Sequence, residues 1–180
     1  LVHIGATKKE SFKAHLNLLQ AHSLDPDTIT TDAWAYRTLF SRIHKNLPKG
    51  EGNEPILLMG FEKSKTFFYV NSKNRPVLYR EIPFGIKTLE SKLQDTLGAS
   101  KDELRNWIQD IGVTGIDERV SNSIADMLEI LIPELKQTEL AVRSLEKMSF
   151  DQIYVTGEGA LLPGFLDWLA SASGKQVELF

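Results

Sequence analysis

Hydrophobic positions along this chain switch between two spacings, and the switches divide it into elements. Phe12, Leu16 and Leu19 recur every three or four residues in "TKKESFKAHLNLLQAH", which predicts a helix running to about His22. Thr7 is its expected N-cap, with Glu10 three residues on to close a capping box. Before it "LVHIGA" reads as a short buried strand, and after the "LDPD" break "TITTD" reads as a second. "DAWAYRTLFSRI" returns to helical spacing, with Ala33, Tyr36 and Phe40 on one side. Together these form a β-α-β-α segment. The composition then changes to "HKNLPKGEGN", residues 44–53, a linker and the expected lobe boundary.

Beyond the linker the pattern becomes strand-like. "EPILLMGF", "TFFYV" and "RPVLYREIPF" are apolar or β-branched runs separated by the polar turns "EKSK" and "NSKN", as in an antiparallel meander. Pro76 stands at the start of the third run, where a missing N–H is tolerated. Gly85 then leads into a helix to about Leu97, and "SKDE" from Ser100 is a second capping box opening a helix that includes Trp107. From about Asp117 to Met148 the residues Ile124, Leu128, Leu131, Leu135, Val142 and Leu145 form a helical stripe. Pro133 lies inside it and predicts a kink or a split into two helices. The strand "QIYVTG", the helix "LLPGFLDWLASAS" and the strand "QVELF" close the chain.

Charge and composition remove several function classes. Acidic residues number 24 against 21 basic, for a formal charge of −3, and no basic stripe interleaves with aromatics, which disfavours nucleic acid as a partner. With no cysteine, disulfides, thiolate nucleophiles and Cys-ligated zinc are excluded. The longest nearly apolar stretch, Gly159 to Ala170, contains Asp167 and falls short of the ~20 residues of a spanning helix. His15 and His22 are seven apart but lack a carboxylate pattern between them, so a surface role is favoured over metal ligation. "DPD" at Asp25 to Asp27 reads as a turn before a metal patch. Trp34, Trp107 and Trp168 are expected in the core, as is the helical stripe, for which a partner groove is the alternative. No residue presents a catalytic motif, and no metal site is expected.

One stretch remains. "VTGEGALLPGFLDWLA", Val155 to Ala170, places Gly157, Gly159 and Gly164 between a β-branched run and a helix start. Such glycines permit positive φ or the close approach of another group, so the turn is either an anion or nucleotide cradle or a tight strand-to-helix connection. Its position in the order of elements favours the first origin. "GEGALLPG", Gly157 to Gly164, resembles the adenosine loop G-G-G-A-x-L-P-G of the PilM and type II secretion protein L family. "RPVLYREIPFG", Arg75 to Gly85, is similar to that family's strand ending in an Arg-Asp-Ile-Pro turn, and "ITTDAWAYRTLF", Ile29 to Phe40, to its strand-Asp-helix element.

The resemblance implies an α/β, actin-like (ribonuclease H-like, FtsA-like) ATPase fold. Residues 1–47 would close the first lobe after its inserted subdomain and 48–180 would form the second lobe, with the first phosphate hairpin lying before Leu1. Gly157, Glu158, Gly159 and Ala160 would be the remains of an adenosine loop. Nucleotide-binding members carry Asp-Ile-Gly in the second phosphate hairpin, where this chain has Met59, Gly60 and Phe61. Methionine cannot hold a hydrated magnesium, and phenylalanine obstructs backbone approach to a phosphate. No cofactor is therefore expected, although ATP would suit a full-length relative. The implied function is a non-enzymatic cytoplasmic scaffold of type II secretion or type IV pilus biogenesis, peripheral to or anchored in the bacterial inner membrane, that links the secretion ATPase to membrane partners. Its implied partners are the secretion ATPase, bitopic membrane proteins and a second copy of itself. The alternative is an ATP-binding PilM or FtsA-like protein whose nucleotide state controls its partners. A sugar-kinase relative would need an aspartate where Met59 stands.

Overall fold

The computed structural model describes residues 8–43, 54–73 and 75–180. The predicted first strand, Thr7 and the linker at 44–53 lie outside these residues. Helices α1 (Lys9–Ala21) and α2 (Asp32–Ile43) come first, then strands β1 (Ile56–Phe61), β2 (Thr66–Ser72) and β3 (Arg75–Ile82). Helices α3 (Ile86–Leu97) and α4 (Lys101–Asn106) follow, and α4 runs on into a π-helical turn, Trp107–Ile111. After α5 (Glu118–Leu128) and α6 (Leu131–Glu146) come β4 (Gln152–Thr156), a 3-10 turn at Glu158–Leu161, α7 (Phe165–Ser173) and β5 (Gln176–Leu179).

All five strands form one sheet in the order β3-β2-β1-β4-β5. β1, β2 and β3 are an antiparallel meander, whereas β4 runs parallel to β1 and β5 parallel to β4. Period-two alternation divides β1 cleanly between two faces. Leu57, Met59 and Phe61 enter the larger core with Phe68, Val70, Ile153 and Val155, under the apolar stripes of α3, α5, α6 and α7. Ile56 and Leu58 enter a smaller cluster on the opposite face with Phe67 and Tyr69, closed by Phe40 of α2. Pro76 sits on the edge strand opposite Asn71, where the β2–β3 register shifts.

Four expectations need correction. Residues 28–31 form no strand: they are exposed, and no neighbouring strand among the described residues supplies a ladder to their β-branched side chains. The cap of α1 is Lys8 without a side-chain hydrogen bond, and the helix buries none of its residues, so the Phe12–Leu16–Leu19 face is not core here. Trp34 is likewise largely at the surface, with the Arg37 guanidinium 4.7 Å over its ring. Leu145 is 59% exposed, because the stripe 131–135–138–142 lands next on Glu146. That carboxylate is almost fully covered, paired with Arg75 and accepting from Ser72 Oγ at 3.2 Å.

Pro133 does split the long segment. Its ring would collide with the carbonyl four residues back, Glu129, and α5 ends there. Proline then occupies the first turn of α6, where backbone N–H groups lack helical partners in any case. The Ser100–Glu103 capping box forms in both directions, with the carboxylate accepting from Ser100 N at 2.8 Å.

The turn between α7 and β5 is tied to α6 and to the approach to β4 by charge. Lys175 Nζ lies 3.0 Å from Glu139 on α6 and 3.3 Å from Asp151. Burial alone would raise the Glu139 carboxyl, but the Ser149 hydroxyl, the Lys175 ammonium and Arg143 together hold it below the usual carboxylate range.

Two tests follow from this packing. Leu128 and Leu131 are fully buried on either side of the split, so Leu128→Ala and Leu131→Ala should each cost about 2–5 kcal/mol in urea unfolding. Leu145→Ala should stay within about 0.5 kcal/mol of wild type. A carboxyl held low by folding stabilises above its unfolded pKa of about 4.3, and the effect fades as pH falls through the lower folded value. Glu139→Gln should therefore lower the urea midpoint at neutral pH and flatten its decline between about pH 5 and pH 3.

Candidate functional site

Three backbone segments meet at the carboxyl ends of β1 and β4: the β1–β2 hairpin at 62–65, the start of α3, and the glycine turn that follows β4. The hairpin and α3 are joined through the helix's own unsatisfied donors. Ile86 N donates to Glu62 O at 3.0 Å and Lys87 N to Lys63 O at 2.9 Å. Two N–H groups that a helix N-terminus offers to an anion are thus spent inside the chain. Thr66, fully buried, secures the same junction by donating its hydroxyl to Phe84 O at 2.7 Å.

The glycine turn lies against the end of β1. Gly157 has φ 93°, and a Cβ there would stand 2.5 Å from Phe61 O. Gly159 has no positive φ; its hydrogen is required because a Cβ would fall 2.0 Å from Phe61 Cδ1. The close approach that these glycines permit is therefore filled by Phe61. Its ring is fully buried, stacked on Phe84 at 5.9 Å and tilted against Phe165 at 5.2 Å. Met59 is also completely buried, with its thioether in the core. At the far end of the turn Gly164, φ 75°, caps α7 beside Thr114, and Val113 N donates to Pro163 O at 2.9 Å.

The four predicted loop residues separate by environment. Gly159 and Ala160 are buried, while Gly157 and Glu158 are exposed. Glu158 reaches an open cleft of about 420 Å³ between α3, the α4–π segment and the 3-10 turn. Ile86, Ile108, Leu161 and Leu162 give it an apolar lining, and Glu90, Glu158, Arg105 and Gln109 supply its polar groups. Sequence reasoning named only Glu158 of this set. Gly112 ends the π-helical turn and lies against the Pro163 carbonyl, but no motif in the sequence marks the other lining residues. Two carboxylates against one guanidinium make a poor electrostatic seat for a polyphosphate. Among the described residues no three His, Asp or Glu side chains converge on a metal-sized site.

Because Gly159 and Phe61 share one volume, their substitutions should couple. Gly159→Ala should destabilise the fold even though its backbone is unstrained, and placing it in a Phe61→Ala background should cost markedly less. Urea denaturation of both single variants and the double variant measures the coupling, which contacting pairs typically show at ~0.5–3 kcal/mol.

The fold occurs in known proteins. In a PilM-PilN type IV pilus biogenesis complex a chain superposes with TM-score 0.74 at 18% identity, covering 96% of this chain and 48% of that one. Ethanolamine utilization protein EutJ from Carboxydothermus hydrogenoformans gives 0.66 at 16% identity, with 97% and 57% covered. MreB5 of Spiroplasma citri bound to AMPPNP gives 0.64 at 13%, with 97% and 61% covered. At these identities the likeness concerns the fold, which is actin-like, and the chain spans about half to three-fifths of each neighbour's length. No curated protein matches it closely enough to count as a relative. The family described as type IV pilus assembly protein PilM matches residues 2–180, and with the glycine turn, the meander and the sheet order all in place, the chain belongs to that family.

Proposed function

We propose that this chain is the second-lobe part of a pilus-assembly scaffold that works by holding partners and not by binding or hydrolysing nucleotide. The observation that carries the reading is the Phe61 ring, seated where the glycine turn would otherwise approach a ligand. Met59 supports it, since no carboxylate stands at that position to orient a hydrated cation. The lobes are proposed at 1–47 and 48–180. Partners of the whole protein would be a bitopic inner-membrane platform protein, a reading supported by the neighbouring PilM-PilN complex, and the assembly ATPase of type IV pilus biogenesis or type II secretion. A second copy of the protein is a further candidate partner. No helix among the described residues is long and apolar enough to cross a membrane.

The open cleft beside Glu158 favours a second reading, in which nucleotide enters there and switches partner affinity. The two readings separate by linkage, because a ligand that does not distinguish two states shifts nothing between them. Affinity of the full-length protein for the platform protein's cytoplasmic segment should be measured with and without Mg-ATP. A scaffold gives Kd values equal within about twofold. A nucleotide-dependent shift that Gly159→Ala abolishes establishes the switch instead.

A further inference from the structure

Strand β3 carries two arginines, Arg75 and Arg80, and both reach helix α6. In an unbroken strand their odd separation would put them on opposite faces of the sheet. They share a face because the β2–β3 pairing steps from Val70↔Leu78 to Asn71↔Pro76, which leaves Val77 as an extra residue in β3. The packing follows this step. Leu78 and Ile82 lie against the larger core, whereas Tyr79 belongs to the cluster under α2. Val77 breaks that alternation by lying against the larger core as well. Arg80 pairs with Glu134 in the first turn of α6, its guanidinium 5.8 Å over the Phe68 ring. Arg75, turned by the bulge, pairs with Glu146, the last residue of the same helix.

The bulged register has a local cost. With Ser72 opposite Arg75 only two residues join the strands, and Lys73 takes φ 51°, the left-handed region in which a side chain crowds its own backbone. The same residues could form a straight ladder. Pairing Asn71 with Val77 and Ser72 with Pro76 would lengthen the loop to three residues, a common hairpin length, and remove the bulge. It would also carry Val77 to the α2 face and take Arg75 away from α6. Glu146 is what that register would abandon. Its side chain is 4% exposed, and it accepts from Ser72 Oγ at 3.2 Å besides pairing with Arg75. Leaving a buried carboxylate without its cation costs more than holding one lysine in a left-handed turn.

We propose that the first three residues of β3 are a one-residue register switch, and that Glu146 is the positioning residue that holds it in the bulged register through Arg75. The switch links the β2–β3 turn to the C-terminal end of α6. Arg75 is 41% exposed, so an external anion can reach it. An anion that drew it from Glu146 would release residues 75–77 to the straight register and move Val77 from one sheet face to the other. Leu78 to Ile82 keep their partners in both registers. The switch operates whether or not nucleotide binds.

Nuclear Overhauser contacts in the intact protein test it. The wild type should show Ser72 backbone contacts to Arg75 and Val77 methyl contacts within the larger core. Glu146→Met, which leaves no buried charge behind, should shift the ratio of registers about tenfold or more toward the straight one, the scale of a hydrogen bond to a charged group. Ser72 should then show contacts to Pro76, and the Val77 methyls should reach the Tyr79 ring. Val70–Leu78 contacts should persist, showing that the strand is still docked. Adding Lys73→Gly, which suits the left-handed turn, should return Glu146→Met to the bulged contacts. Wild-type contacts persisting unchanged in Glu146→Met would overturn the positioning role. Loss of the Val70–Leu78 contacts together with those of residues 75–77 would overturn the switch, because the strand would then have detached as a whole.

Discussion

The contact between the Phe61 ring and the Cα of Gly159 governs the rest of the site. It closes the end of the sheet between β1 and β4, and it gives the glycine turn a packing reason for its glycines. Gly157 must pass over the Phe61 carbonyl and Gly159 must pass over the ring, so both are required by internal packing alone. The α3 N-terminus then finds its acceptors in the hairpin carbonyls of Glu62 and Lys63. Two of the α3 N–H groups that would suit an anion therefore have acceptors inside the chain.

The architecture around this contact follows from period and punctuation. Alternation in β1 puts Met59 and Phe61 on the large-core face and Leu58 on the face that α2 covers, so one strand organises both cores. Gly85, the Ser100 box and Pro133 are local signals with local causes, and each produced the boundary expected of it. Where periodicity failed, a longer-range contact decided. "TITTD" has strand propensity but no described strand beside it. Leu145 lost its place to Glu146 because Arg75, from the start of β3, supplies a partner for a buried carboxylate. The sequence could show glycines that permit close approach, but not which group approaches. Phe61 and Gly159 are almost a hundred residues apart, and only the parallel β1–β4 pairing brings them together. The cleft residues Glu90, Arg105 and Gln109 were invisible for the same reason, since three elements without a shared motif converge to form it.

On the reading proposed above, the chain is a family member in which the elements around a nucleotide position serve packing. The turn is a packing element, and the helix N-terminus is a joint. A scaffold has a use for such stiffness, because partner surfaces keep their geometry when no ligand cycle repositions them.

Proton NMR of Gly159 tests the central contact most directly. With the Phe61 ring over its Cα, the Gly159 Hα resonances should be displaced by ring current, show nuclear Overhauser contacts to the Phe61 ring protons, and move toward ordinary glycine positions in Phe61→Leu. Addition of Mg-ATP should leave them unchanged. Unshifted Gly159 resonances without contacts to Phe61, or a shift that nucleotide displaces, would contradict the account.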